Sequence, residues 1–139
     1  MSALSRRKGA RAELELFRLL SDELGFVVRR NVDQARAGGA DGIEIPGWAV
    51  EVKRREALAV PSWWRQACRQ AHFDARMPVL FFRRSKEPWK AVLPGSAIGA
   101  GEWAPRRATF SEAVMELRES IASRGLAIPD QSMPEELRP

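Results

Sequence analysis

The segment that most constrains the fold is Trp48–Arg54, which reads WAVEVKR. Successive side chains of an extended strand point to opposite faces, so its three bulky apolar residues share one face while Glu51 and Lys53 share the other. A strand this apolar is typical of the middle of a sheet whose faces are both covered. The segment therefore predicts a β-sheet with helices packed on it.

The remaining hydrophobic patterning predicts an α/β domain with a mixed sheet, in the order α-β-β-β-α-β-β-α. The predicted helices span residues 5–24, 61–75 and 110–123, and the predicted strands span residues 25–31, 41–45, 48–54, 78–82 and 89–93. A turn at Pro46-Gly47 joins the second and third strands, and residues 94–105, rich in Gly and Pro, are predicted to be a loop. Residues 1–125 of the 139 make one domain, and residues 126–139 are predicted to be a flexible tail.

The composition excludes several classes of protein. A single cysteine, Cys68, rules out an internal disulfide and a cysteine-based zinc site, and a single histidine, His72, argues against histidine-rich metal sites and serine-type triads. No apolar run approaches the ~20 residues that a membrane span needs, and no secretion signal is recognisable. We therefore expect a cytoplasmic protein whose chemistry depends on carboxylates and lysines.

The charge of the chain indicates a polyanionic partner. Its net charge is +5, and most of its 23 basic residues are arginine, whose planar side chain suits phosphate. Because neutralising phosphates releases counterions, a basic domain of this kind is typical of nucleic-acid binding, although an arginine-rich proteome would give the same value.

One carboxylate interrupts the apolar face of the first helix. One helical turn before Phe17 on that face lies Glu13, whereas Glu15 belongs to a solvent-facing polar row. Glu13 is therefore a candidate site residue, and the alternative is a structural ion pair with Arg29 or Arg30.

Glu51 and Lys53 are the second candidate pair, about 7 Å apart along one face of their strand. A carboxylate that holds a divalent cation, beside a lysine that orients or deprotonates water, is what metal-assisted phosphodiester hydrolysis requires. A cross-strand ion pair on a half-wet sheet is the alternative, since Glu-x-Lys alone is a weak signal.

A third carboxylate precedes them. The Pro46-Gly47 turn brings Asp41 within a few residues of Glu51, and two such carboxylates can share Mg²⁺, which prefers oxygen ligands. A strict two-residue turn places Asp41 on the opposite face unless the backbone bends at Gly42. Glu44, which lies on the Glu51 face, is the competing ligand.

Taken in order, these motifs resemble the PD-(D/E)XK nuclease superfamily, and within it the archaeal-type and phage Holliday junction resolvases. The resemblance covers residues 5–93. The matching segments are Lys8-Gly9-x3-Glu13, Gly25-Phe26-Val27-Val28-Arg29, Asp41-Gly42-Ile43, Ala49-Val50-Glu51-Val52-Lys53 and Pro61-Ser62-Trp63-Trp64-Arg65-Gln66-Ala67. It implies a single restriction-endonuclease-like domain.

The resemblance also implies roles for individual residues. Asp41, Glu51 and the Val52 carbonyl would ligate Mg²⁺, for which Mn²⁺ would substitute, and Glu13 would be a further metal or water ligand. Lys53 would position the attacking water, and Gln66 would steady the site. The proline usual before the aspartate is Ala40 here, and residues 32–40 lack the serine often found in that loop.

Basic residues flank these motifs and are predicted to contact DNA phosphates without reading bases. They are Arg6, Arg7, Lys8, Arg29, Arg30, Arg36, Arg54, Arg55, Arg65 and Arg69. The resemblance further implies a homodimer that cuts two opposed strands of a four-way junction. Because Trp63 and Trp64 are adjacent in a helix, one of them is expected to be exposed at an interface or a stacking surface.

The sequence thus predicts a Mg²⁺-dependent endonuclease that acts on four-way DNA junctions. The alternatives are a restriction- or repair-type nuclease of the same fold acting on duplex or flapped DNA, and a DNA-binding module without catalysis.

Overall fold

The computed structural model describes residues 3–29 and 45–125, with side chains from residue 11 onward. Within these residues the helices are α1 (Ala3–Leu24), α2 (Val60–Phe73) and α3 (Phe110–Ser123). The strands are β1 (Trp48–Arg54), β2 (Met77–Arg83), β3 (Lys90–Gly99) and β4 (Glu102–Thr109). The predicted tail and its boundary at residue 126 lie outside the described part of the chain.

The four strands form one mixed sheet in the order β1-β2-β3-β4. β1 and β2 are parallel, in a register that pairs Glu51 with Leu80, and α2 makes the crossover that parallel strands require. β2, β3 and β4 are antiparallel neighbours. The prediction of an α/β domain built on a mixed sheet is confirmed.

The helices cover both faces of this sheet. Leu16 and Leu20 of α1 and Leu117 of α3 pack against one face, in a cluster that includes the β1 residue Val50. α2 covers the other face, where Trp63 and Trp64 meet alternate residues of β2 and β3. Among the described residues, no helix is both long and apolar enough to cross a membrane.

Helix α1 presents the faces that its sequence predicts. The polar row of Arg11, Glu15, Arg18 and Asp22 is exposed, whereas Ala12, Leu16 and Leu20 are buried. The helix ends at Gly25, whose φ of +83° suits a residue without a side chain.

Residues 94–105 are not the predicted loop. They complete β3 and form the first half of β4, and Pro94 faces Pro105 across the pair. Pro94 lies beyond the last residue of β3 that pairs with β2, and the ladder is irregular after it, so the missing N–H groups cost little. The two strands turn at Gly101, which has a φ of +71°.

Two predicted strands fall at the edge of the described chain. Residues 25–29, the described part of the predicted strand 25–31, form no strand: the backbone N–H of Val28 instead donates to the Ser21 hydroxyl at 2.8 Å. Of the predicted strand 41–45 only Ile45 is described. It pairs with Trp48 across the Pro46-Gly47 turn, as predicted.

The expectation of one exposed tryptophan in the Trp63-Trp64 pair is wrong. Their relative exposures are 8% and 3%. Trp63 packs on Phe82, with ring centroids 6.3 Å apart, and Trp64 extends the other way and donates to the Trp103 carbonyl at 2.8 Å. The two large rings thus reach different parts of one apolar surface.

The last helix begins with a capping box. The Thr109 hydroxyl accepts from the Glu112 backbone N–H at 3.1 Å, and the Glu112 carboxylate accepts from the Thr109 backbone N–H at 3.0 Å. The second hydrogen bond is the main reason that the pKa of Glu112 lies below its ordinary value of 4.5. The stabilisation is therefore complete above pH 4.5 and is lost as the pH falls through the lowered pKa of the folded state.

The capping box gives a direct stability prediction. We expect Thr109→Ala to lower the free energy of unfolding by about 1 kcal/mol, because it leaves the Glu112 backbone N–H of α3 without its acceptor. Ser111→Ala is the matched control, since exposed Ser111 makes no such cap, and its effect should stay within about 0.5 kcal/mol. Urea unfolding of both variants makes the comparison, and equal midpoints would contradict the assignment.

Candidate active site

Glu51 is the buried charged side chain of the described structure, with 6% relative exposure. Lys53 follows it on the same face of β1, and its Nζ atom lies 3.7 Å from Oε1 of Glu51. Burying a carboxylate is costly unless it is paired, so a fold that places one beside a lysine has a local reason to keep both. The predicted adjacency of these two side chains is confirmed.

The packing of α2 explains how Glu51 is buried. Ala49, two residues before Glu51 on the same face, packs against Ala71 of α2. Because α2 returns from the end of β1 to the start of β2, it runs back along β1, so Ala67 lies one turn from Ala71 in the direction of Glu51. These small side chains let the helix approach the strand closely.

Arg54, the residue after Lys53, makes contacts that stabilise the fold. Arg54 lies 3.5 Å from the carboxylate of Glu56 and donates to the hydroxyl of Ser85, which itself donates to Glu56. These contacts tie the end of β1 to the turn after β2. Arg54 therefore differs from exposed Arg55, although both were predicted to contact DNA.

Glu13 lies on the flank of α1 that faces away from β2. Glu15, two residues later, forms an ion pair with Arg83 at the end of β2, with 2.6 Å between the charged atoms. At 100° per residue, Glu13 falls on the opposite flank of the buried stripe. It is half-buried there.

Gln66 lies on the flank of α2 that faces away from β4. Trp64 and Cys68 mark the flank of α2 that faces β4, since Trp64 bonds Trp103. Gln66 projects from the flank opposite Trp64 and Cys68 and is exposed.

Several of the predicted site residues lie outside the described part of the chain. Asp41, its competitor Glu44, and the basic residues Arg30 and Arg36 lie outside it. Within it, no three Asp, Glu, His or Cys side chains are grouped closely enough to hold a metal. Glu51 and the Val52 carbonyl are oxygen donors of the kind that Mg²⁺ prefers, and the residues present fit such an ion in their chemistry.

Most of the predicted phosphate-binding residues that are described lie at the surface. Arg29, Arg55, Arg65 and Arg69 are exposed. Arg6, Arg7 and Lys8 lie in α1 at positions where only the backbone is described.

Cys68 and His72 do not form a metal pair. Cys68 is buried against Trp103, and burial is the main reason that its pKa is raised, so its thiol stays protonated. His72 is exposed beside Gly101, where an added Cβ would lie 2.4 Å from the imidazole. Cys68 thus packs in the interior, and His72 lies at the surface.

One surface feature was missed from the sequence. A pocket opens between α2 and the β3–β4 hairpin, lined by Trp64, Arg65, Cys68, Arg69, Ile98, Gly101, Glu102 and Trp103. It was missed because half of its wall belongs to the supposed loop. The signal was Ala100-Gly101, a turn dipeptide between two runs that each contain strand-forming residues.

The fold is similar to that of a solved nuclease. The protein is Hjc from Archaeoglobus fulgidus, described as a Holliday junction resolvase from an archaeal hyperthermophile. The match has a TM-score of 0.50 and 19% sequence identity, and it covers 78% of this chain and 96% of that chain. At this identity the likeness shows a common fold. No curated protein matches the chain.

A family model matches a larger share of the sequence. Residues 4–120, from α1 into α3, match the family described as "Phage putative PDDEXK endonuclease". The match contains the Glu-x-Lys strand, the half-buried Glu13 and Asp41 in the order that the PD-(D/E)XK resemblance requires. The chain belongs to this family of phage PDDEXK endonucleases, nucleases whose fold generally works with divalent metal ions.

Proposed function

We propose that this nuclease is a Mg²⁺-dependent, structure-selective endonuclease that cuts four-way DNA junctions as a homodimer. The observation that carries the catalytic part is the buried Glu51 carboxylate with Lys53 Nζ 3.7 Å away. The preference for junctions rests on the resemblance to resolvases and on a fold shared with Hjc.

The metal ligands in this proposal are oxygen atoms. Glu51, Asp41 and the Val52 carbonyl hold the ion, with Glu13 as a further ligand to metal or water. When bound, a divalent cation supplies a Lewis acid for the phosphate and lowers the pKa of water. Mn²⁺, which accepts the same oxygen ligands, should substitute.

Lys53 acts on the reacting water and phosphate. Its ammonium orients the attacking water and stabilises the charge that develops on the phosphate oxygens as the new P–O bond forms and the P–O bond to the sugar breaks. Gln66 of α2 steadies the site.

Exposed arginines position the DNA in this proposal. Arg29 and Arg55 contact phosphates, which fixes the position of the duplex arms and carries no sequence information. Arg54 contributes less, because Glu56 already neutralises it.

Cleavage of defined DNA structures tests the proposal. An end-labelled immobile four-way junction, a flap, a linear duplex and a single strand are each incubated with Mg²⁺, with Mn²⁺ and with EDTA. We expect paired, symmetric nicks confined to the junction, lost in EDTA. Equal cutting of all duplexes would favour a restriction- or repair-type nuclease, and tight binding without cleavage in either metal would favour a non-catalytic DNA-binding module.

A further inference from the structure

The pocket between α2 and the β3–β4 hairpin is here called the hairpin pocket. It lies beside β4, whereas the candidate active site lies on β1, three strands away in the described sheet. Trp64, Cys68 and Trp103 form its apolar walls. Ile98 stands at its rim with 66% relative exposure, which is high for a large aliphatic side chain. An exposed aliphatic residue beside an apolar hollow marks an interaction surface.

We propose that the hairpin pocket is the dimer interface, and that a second copy of this chain inserts its Ile98 into it. A twofold interface must be self-complementary, because the same patch meets itself after rotation. The hairpin pocket offers both halves of such a contact, since Ile98 is the projecting residue and the space beside Trp103 receives it. The proposal rests on the homodimer of the proposed function.

The charges at the rim support a second copy over another partner. Arg65 and Arg69, one turn apart on α2, lie on one side of the pocket, and Glu102 of β4 lies on the other. All three are exposed. Under a twofold rotation the arginines of one copy meet the glutamate of the other, whereas a DNA strand would meet a carboxylate inside its own binding pocket.

This placement also suits paired cleavage. Neighbouring strands lie about 4.8 Å apart, so β1 and β4 are separated by about 14 Å. Two copies joined beside β4 place their Glu51 side chains at the outer ends of the dimer, roughly 30 Å apart by the same spacing. Each active site is then free to engage a different strand.

Sedimentation velocity without DNA tests the interface at micromolar protein. We expect the wild type to be a dimer and Ile98→Asp to weaken self-association by about 30-fold or more, as substitution of a central apolar contact does. Met115→Asp is the matched control: Met115 is 60% exposed on α3, which packs on the other face of the sheet, and the variant should remain a dimer. A monomeric wild type, or an Ile98→Asp variant as dimeric as Met115→Asp, would overturn the proposal.

A charge exchange keeps the test decisive if Ile98→Asp folds poorly. Arg69→Glu and Glu102→Arg should each weaken the dimer, and the double variant should recover it, whereas additive losses would count against the contact. Because no DNA is present, a failure here bears on the dimer alone and leaves metal-dependent junction cleavage to its own assay. A dimer that uses this surface but cuts no junction would leave the interface standing, and junction cleavage by a protein that dimerises elsewhere would leave the function standing.

Discussion

Replacing Glu51 by glutamine is expected to reduce phosphodiester cleavage about 10³-fold while DNA binding persists. The carboxylate is 6% exposed on β1, and the amide has nearly the same shape but no negative charge with which to hold a divalent cation. Removing a charge of the same sign as phosphate should leave DNA affinity equal or higher. Single-turnover cleavage, anisotropy with labelled DNA in EDTA, and calorimetric titration with Mn²⁺ measure the three quantities.

Glu119→Gln is the matched control for that variant. It makes the same chemical change on the exposed surface of α3 and should cleave as the wild type does. Thermal unfolding of both variants separates loss of the site from loss of the fold. If Glu51→Gln bound Mn²⁺ normally and cut at the wild-type rate, Glu51 would not be a metal ligand.

Strong local signals predicted several elements to the residue. β1 has the predicted bounds because its alternation is uninterrupted, and α3 has them because Thr109 and Glu112 form a capping box whose pattern is visible in the sequence. The mixed α/β architecture followed from the order of such elements.

Long-range packing decided what the sequence did not reveal. Pro94 and Pro105 favoured a loop, yet they face each other in a strand pair at a point where no ladder to β2 is needed. One of Trp63 and Trp64 was expected to be exposed, but both are buried against one apolar surface.

In the candidate site, too, local sequence patterns predicted some features and long-range packing determined others. Period-two alternation placed Glu51 beside Lys53, which is a local property of one strand. The partnership of Arg54 with Glu56 and Ser85 depends on the turn after β2, 31 residues from Arg54, and no local pattern marks it. The half-burial of Glu13 and the exposure of Gln66 likewise depend on how the helices pack, and the roles of both residues stay predictions.

Replacing Lys53 should impair the enzyme in a different way from replacing Glu51. Lys53→Met keeps the length and the apolar stem of the side chain but removes the ammonium that lies 3.7 Å from Glu51. We expect cleavage to fall about 10²- to 10³-fold, the range for loss of a group that assists proton transfer or charge development. Mn²⁺ affinity should be unchanged or higher, since a competing positive charge is removed from beside the carboxylate.

The contrast between the two variants distinguishes a catalytic pair from a structural ion pair. In a structural pair, either replacement would lower thermal stability and would affect cleavage and Mn²⁺ binding together. In a catalytic pair, Glu51→Gln loses both cleavage and Mn²⁺ binding, whereas Lys53→Met loses cleavage alone. Lys90→Met, on exposed β3 surface, controls for the change in net charge and should cleave normally. A Lys53→Met enzyme with wild-type cleavage at saturating Mg²⁺ would refute the role of Lys53. The resemblance to PD-(D/E)XK nucleases would then extend to the fold and the carboxylate but not to the lysine.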